Sequence, residues 1–495
     1  MSRKLLKAIA LGIVVLAPTW AMSVAPVVAA ENKAQADARP NIIFAIADDW
    51  AWPHAGAYGD PVVKTPTFDR IARDGVLFSR AHVMAPTCTA SRGSILTGQA
   101  AHRLEFGANL WSLLPAKFRC YPDILESNGY AVGLMRKGWG PGSLENTGRS
   151  RNPAGPNFRN FAEFLKTVPP DRPFCFWFGS SDPHRPYEPG SGEKAGIDPA
   201  TIAVPPFLPD TPTVRSDIAD YYFEVQRFDR ELGEALQVLE EAGRLENTLI
   251  VVTGDNGMPF PKAKATCYDA GTHVPLAICW KAKVPGGRVV DDFVSMTDVA
   301  PTFLEAAGLA PLPEMTGRSL LPILLSDRSG RVDPARDHVF TERERHAATR
   351  PNDASYPVRS IFTERWHLIW NLRPDYWPAG NPPEESVGRD YGDIDGSPTW
   401  SEILEKADDP AMRPFFLAAA GRKRPEFELY DLQNDPGEMT NVAGRPETEP
   451  IRRELFAKLR TWMQETGDPR FLGETDFWDV CPYYGQRPKQ STTRP

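Results

Sequence analysis

Cysteine is scarce: Cys88, Cys120, Cys175, Cys267, Cys279 and Cys481 are all there are in 495 residues, and no two are spaced C-x-x-C. So little sulfur excludes a disulfide-built scaffold, and the spacing argues against a cysteine zinc site. Positive charge is not in excess, with 56 Lys and Arg against 64 Asp and Glu and a net charge of −8. That balance gives no electrostatic footprint for nucleic acid, although a local basic pocket could still hold an anion. Beyond residue 30 no apolar run approaches the length of about 18 residues that a membrane helix requires. What is present is an ordinary globular mixture, 41% hydrophobic, 10% aromatic and 24% charged, in a chain long enough for two or three domains' worth of core. The 49 prolines and 38 glycines imply many loops, and hence loop-built sites.

Residues 1–30 begin with Arg3, Lys4 and Lys7, continue through the apolar run Ala8 to Ala17 and end in Val28, Ala29 and Ala30. This is the pattern of a secretory signal peptide cut after Ala30, which predicts a secreted or periplasmic protein without a membrane span after cleavage. A polar leader follows. Asn41 to Ala47 (NIIFAIA) then reads as a strand ending at Asp48 and Asp49. Pro173 to Phe178 (PFCFWF) ends in Ser180 to Arg185, and Thr248 to Thr253 (TLIVVT) ends in Gly254, Asp255 and Asn256. Short runs that are apolar at every position are central strands of a parallel sheet, which places its ligands at the C-terminal strand ends. Asp217 to Ala242 carries apolar residues at spacings of three and four and predicts a crossover helix. Thr65 to Asp74 and Thr297 to Ala307 are further flanking helices. The expected organisation is a catalytic domain over 40–372, a C-terminal subdomain over 373–484 entered by a Pro- and Gly-rich surface connection (373–398), and a polar tail over 485–495.

Five groups of residues carry chemistry. Asp48 and Asp49 are adjacent carboxylates after a buried strand; they are either a solvated loop pair or the ligands of a hard cation. Cys88-Thr89-Ala90-Ser91-Arg92 precedes Gly93 to Gly98 (GSILTG). Thr253-Gly254-Asp255-Asn256-Gly257 offers a carboxylate and an amide oxygen, with Lys264-Ala265-Thr266-Cys267-Tyr268 and Gly271 to Pro275 downstream; a simple Asn-Gly turn is the local alternative. Lys137 stands in Arg136-Lys137-Gly138-Trp139, and His184 with Arg185 follows Asp182-Pro183. Alone, each of these cations is more often an ordinary surface charge or core histidine.

Together these motifs resemble the sulfatase family, whose signature C/S-x-P/A-x-R contains a cysteine oxidised to formylglycine. The likeness runs over about 40–330 and returns at Glu428 to Asp431 and Asp435 to Glu438. Longer stretches, Asp182 to Arg185, Val204 to Arg215, Asp255 to Pro261 and Tyr356 to Ser360, resemble the N-sulfoglucosamine sulfohydrolase (heparan N-sulfatase) branch of that family. The resemblance implies an α/β fold, an alkaline-phosphatase-like mixed and mostly parallel sheet flanked by helices, with a smaller C-terminal α+β subdomain. It implies a sulfuric ester or sulfamate hydrolase acting on a sulfated saccharide, N-sulfoglucosamine-type, with a formylglycine-generating enzyme as maturation partner. One divalent cation, Ca2+ or alternatively Mg2+, would be held by Asp48, Asp49, Asp255 and Asn256 beside formylglycine at Cys88. The hydrated formylglycine would attack sulfur, with Arg92, Lys137 and Lys264 offsetting charge and His184 protonating the leaving atom. Arg185, Arg345 and His346 are candidates for contacting the sugar. Two positions depart from the pattern: Trp139 stands where sulfatases commonly have the histidine of K-x-H, and Lys264 stands where the N-sulfoglucosamine branch has arginine. An O-sulfatase on a sulfated polysaccharide, a phosphomonoester or phosphonate hydrolase on the same fold, and a sulfated-glycan binding protein without turnover are the alternatives.

Overall fold

A computed structural model describes residues 39–473 and 475–486. The expected signal peptide and most of the expected polar tail lie outside the described residues. The large sheet has eight strands: β1 (Asn41–Ala47), β2 (Val76–Phe78), β3 (Ala131–Met135), β4 (Asn157–Phe158), β5 (Phe174–Gly179), β6 (Thr248–Gly254), β7 (Leu276–Cys279) and β8 (Arg288–Val290). Their order is β8-β2-β7-β6-β1-β5-β3-β4. Only β7 runs antiparallel to its neighbours; every other pairing is parallel. The sheet is therefore mixed and mostly parallel, as expected.

The period of two explains why the central strands are apolar throughout. Ile42, Phe44 and Ile46 of β1 enter one core with Leu249, Val251 and Phe303. Ile43, Ala45 and Ala47 enter the opposite core with Ile250, Val252 and Phe228. Both faces are covered by helices, so neither face can be polar. The helices include α1 (Pro66–Asp74), α2 (Cys88–Thr97), α3 (Pro212–Glu241) and α4 (Val299–Ala306). Helix α3 starts five residues before the predicted Asp217 because Thr211 and Pro212 form a start signal: the Thr211 hydroxyl accepts from the Val214 N–H at 3.2 Å and Pro212 fills the first turn. Asp229 of α3 in turn accepts from the N–H groups of Thr67 and Phe68 at 3.0 and 2.8 Å, capping α1 from a distance.

The second sheet is antiparallel, in the order β9 (His338–Arg343), β10 (Val358–Thr363), β11 (Trp366–Asn371), β12 (Phe427–Asp431). Helix α6 (Glu449–Thr466) covers it through Leu455, Leu459 and Met463, packed with Ile361, Leu368 and Leu429; α5 (Pro398–Glu405) precedes β12. Three of the four strands lie before residue 373, so the boundary expected there falls inside this unit. The Pro- and Gly-rich stretch is an excursion between β11 and β12. It is a surface connection only in part: 383–390 are exposed or half-buried, whereas Tyr391, Asp393 and Ile394 are buried.

A buried ionic network ties the smaller sheet to the segment after α2. Arg359 of β10 pairs with Glu344 at 2.8 Å and Asp468 at 2.5 Å and lies 3.4 Å from Glu342. Arg470 pairs with Glu344 at 2.6 Å, and His102 with Glu342 at 2.8 Å. Replacing Arg359 with Met should leave buried carboxylates without a counter-charge and destabilise the protein by about 3–5 kcal/mol in urea unfolding; a loss under about 1 kcal/mol would mean the network is held by Arg470 and His102 alone. Burial raises the Asp468 carboxyl, but Arg359 outweighs it and brings the group down to about 2. A carboxylate depressed on folding contributes stability above its unfolded range, and that contribution is lost as pH falls toward 2. The Arg359→Met protein should therefore lose less stability than wild type between about pH 4 and pH 2, measured by denaturant midpoints at each pH.

Candidate active site

Strands β1, β3, β5 and β6 are parallel neighbours, so the residues after each reach the same edge of the sheet. Asp48 and Asp49 follow β1, Arg136 and Lys137 follow β3, the Ser180 to Arg185 loop follows β5, and Asp255 and Asn256 follow β6. Asp49 has φ +73°, a left-handed turn directly after the strand. Gly257 is fixed by close approach, because a Cβ there would lie 1.8 Å from the Ala270 carbonyl oxygen. Cys88 opens α2, and all ten residues of that helix are buried. Its free N–H groups and dipole favour negative charge at Cys88.

The sequence motifs converge. Asp48 Oδ1 lies 3.6 Å from Cys88 Sγ. Lys137 Nζ donates to both Asp48 oxygens, at 2.7 and 2.6 Å. Arg92 Nε donates to Asp255 Oδ2 at 2.7 Å, its Nη1 to the carbonyls of Lys137 and Gly138, and its Nη2 lies 3.7 Å from Asp48. Asp255 Oδ1 accepts from the Asp49 N–H at 2.9 Å. Asn256 Nδ2 and Lys264 Nζ each donate to Asp49 at 2.7 Å. His184 Nε2 lies 3.9 Å from Asp49, while its Nδ1 is bound to the Arg185 carbonyl, leaving Nε2 toward the site.

The donor set fits one hard cation. One ligand atom each from Asp48, Asp49, Cys88 and Asp255 lies within 4.8 Å of the others. Asn256 Oδ1 is buried without a hydrogen-bond partner, an acceptor that a cation would satisfy. Oxygen donors of this kind suit calcium or magnesium. Burial, with Asp255 and Asp48 beside it, pushes the Cys88 thiol well above its ordinary range despite Lys137 and Lys264. An unmodified Cys88 is therefore held as a thiol and is a poor nucleophile. All six cysteines are unpaired.

A cavity of about 660 Å³ opens over this cluster, lined among others by Asp48, Lys137, His184, Trp111 and Arg136. Trp139 also borders it, but its ring packs into the core beside Leu104 and Gly93 of α2, so the position offers no imidazole to Cys88. Of the expected sugar contacts, Arg345 is misplaced. Its side chain is fully buried and donates to the carbonyls of Cys481 and Pro482, anchoring the end of the described chain. Arg185 lines the cavity, yet its guanidinium is committed to Asp217, at 2.8 Å twice, and to the Pro259 carbonyl at 2.9 Å. It shapes the wall, with three of its five N–H groups committed to the protein. His346 is buried against the residue before Cys88, its Nδ1 2.9 Å from the Thr87 hydroxyl. Burial lowers it to about 3, so it is a neutral imidazole.

One site residue was not visible in the sequence. Asp395, in the excursion between β11 and β12, lies 3.1 Å from Lys264. Its only signal is the Gly392-Asp393-Ile394-Asp395-Gly396 pattern, a lone aliphatic residue between two aspartates.

The sulfatase family pattern matches residues 40–309, and the C-terminal pattern of N-sulphoglucosamine sulphohydrolase matches residues 262–378. Human N-sulphoglucosamine sulphohydrolase is 30% identical over 87% of this chain and 91% of its own length. A Formosa agariphila ulvan-active sulfatase is 28% identical over 88% of this chain and 82% of its own length. In fold, a protein solved with its substrate D-glucosamine-2-N,6-O-disulfate superposes with a TM-score of 0.63 at 20% identity, covering 88% of this chain and 100% of that one. With its motifs gathered at one sheet edge and the match spanning most of its length, this chain belongs to the sulfatase family, hydrolases of sulfate esters or sulfamates.

Proposed function

We propose that the protein is an exported sulfohydrolase that releases sulfate from N-sulfoglucosamine-type units of a heparan-like saccharide, after conversion of Cys88 to formylglycine by a maturation enzyme. The observation that carries this reading is the meeting of Cys88, Arg92, Lys137, His184 and Lys264 around Asp48, Asp49, Asp255 and Asn256, with Asp48, Lys137 and His184 opening onto the cavity. The human relative, named for N-sulphoglucosamine, supports the choice of substrate.

Asp48, Asp49, Asp255 and Asn256, with the residue at 88, would hold one divalent cation, calcium before magnesium. When bound, that cation supplies Lewis-acid polarisation and makes an oxygen nucleophile available near neutral pH. The chain's own groups do the rest. The start of α2 favours a negatively charged oxygen at position 88, and Arg92 holds that position against Asp255. Lys137 and Lys264 bring ammonium groups to the sulfuryl oxygens. His184, with Nδ1 fixed by a backbone carbonyl, presents Nε2 for proton delivery to the departing atom.

The second reading is an O-sulfatase on a sulfated polysaccharide. Lys264 favours it, since it stands where the N-sulfoglucosamine branch has arginine, and so does the ulvan-active relative.

Protein made with a formylglycine-generating enzyme, with conversion at Cys88 checked by mass, should release free sulfate from N-sulfoglucosamine. Release only from O-sulfated sugars would establish the second reading. No release from any sulfated sugar by fully converted protein would leave a glycan-binding protein. Cys88→Ala should melt at the wild-type temperature and lose about a thousandfold or more in turnover; near wild-type activity would remove position 88 from the chemistry. Chelation with EDTA should abolish turnover and lower the melting temperature, because a ligand bound only to the folded state stabilises it. Added calcium should restore both.

A further inference from the structure

Among the carboxylates of the inner site Asp395 is the exposed one. The side chains of Asp48, Asp49 and Asp255 are 3%, 0% and 0% exposed, whereas that of Asp395 is 25% exposed. Lys264 is its one partner among the described residues. Burial raises its carboxyl, and Lys264, with His184 as a lesser influence, outweighs that and lowers it. The loop that carries it is fixed at both ends. Asp393 is held by Arg343, Arg350 and the Ala347 N–H. Thr399 donates to Asp217, the same carboxylate that locks Arg185.

The single positive charge of Lys264 is shared between Asp49 and Asp395, and Asp395 Oδ2 is buried without a hydrogen-bond partner, so a rigid, partly exposed anion beside the binding place of an anionic group is relieved further by positive charge in the substrate. The two kinds of sulfate hydrolysis differ at that point. When an O-sulfate is cleaved, the leaving oxygen passes from partial negative charge to a neutral alcohol. In a sulfamate the nitrogen must first take a proton, here from His184, to give R–NH2⁺–SO3⁻. The new S–O bond then forms as the S–N bond breaks with its electron pair going to nitrogen, and the free amine takes a further proton from water. Nitrogen is thus cationic in the protonated sulfamate that leads to cleavage and again in the ammonium product. His184 is the proton donor on the leaving side, and Asp395 joins the same cluster through Lys264, which pairs with it and with Asp49, the carboxylate 3.9 Å from His184.

We infer that Asp395 is a specificity-determining residue that receives the cationic nitrogen of a 2-amino sugar and so selects sulfamate over sulfate-ester cleavage. This rests on the N-sulfoglucosamine reading above.

The test uses the full, converted protein with N-sulfoglucosamine and glucosamine-6-O-sulfate as substrates, and the product glucosamine and its neutral analogue N-acetylglucosamine as inhibitors. Wild type should be inhibited more strongly by glucosamine, which carries an ammonium group, than by the neutral N-acetyl sugar. Asp395→Asn should abolish that preference and lower kcat/KM for N-sulfoglucosamine by about 10- to 100-fold, as expected for removal of a group aimed at developing charge. Any activity on glucosamine-6-O-sulfate should be kept. Asp395→Glu, which retains the charge, should retain the glucosamine preference. An equal loss on both substrates with the inhibitor preference intact would show that Asp395 only positions Lys264, and would overturn the inference while leaving the proposed function standing. Wild type that releases no sulfate from N-sulfoglucosamine would overturn the proposed function itself, and the inference with it.

Discussion

The structure depends on burying the carboxyl groups of Asp48, Asp49 and Asp255 together at the ends of two neighbouring strands. Carboxylates so close and so buried are strongly unfavourable unless each has charged or N–H partners. Those partners come from separate parts of the chain: Arg92 from α2, Lys137 from the loop after β3, Lys264 from the loop after β6. Each element must therefore arrive at the same sheet edge before the cluster can exist. That requirement explains why α2, despite its Arg and Ser residues, is buried throughout. It also explains why glycines stand where backbones touch: a Cβ on Gly179, at the end of β5, would lie 2.0 Å from the Lys137 carbonyl.

The charge count suits a sulfuryl group. Asp48, Asp49 and Asp255 are matched one for one by Arg92, Lys137 and Lys264, so the cluster is close to neutral by itself. A divalent cation in that donor set would add two positive charges, a protonated His184 one more, and Asp395 would remove one, leaving a site that attracts an anionic group.

Three of the eight strands of the large sheet, β1, β5 and β6, were legible because they are short, apolar on both faces and followed at once by polar residues. The same strand ends located Asp48, Asp255 and His184, and motif order located Cys88, Lys137 and Lys264. Legibility failed where position depends on how a loop folds back. Residues 373–398 have few aliphatic residues and read as surface, yet Asp393 is drawn inward by Arg343 and Arg350, an ion-pair interaction that leaves no periodic trace. Arg345 failed for the converse reason: its partners are backbone carbonyls at the far end of the chain, and no sequence pattern announces a carbonyl.

The two sheets divide the work unevenly. Every group proposed to act on sulfur comes from the strand ends and α2 of the large sheet, where register fixes positions to within a fraction of a residue spacing. Asp395 comes from an excursion between two strands of the smaller sheet. Such an excursion can change length and composition without disturbing β9 to β12, because the strand pairs it joins are held by their own ladders and by α6. The link back to the large sheet runs through Thr399, Asp217 and Arg185, so a substrate-facing loop is braced against the wall of the reaction site. On this arrangement chemistry and selection are separable: sulfatases that share the strand-end cluster can differ in the sugar they accept by what the excursion places opposite His184.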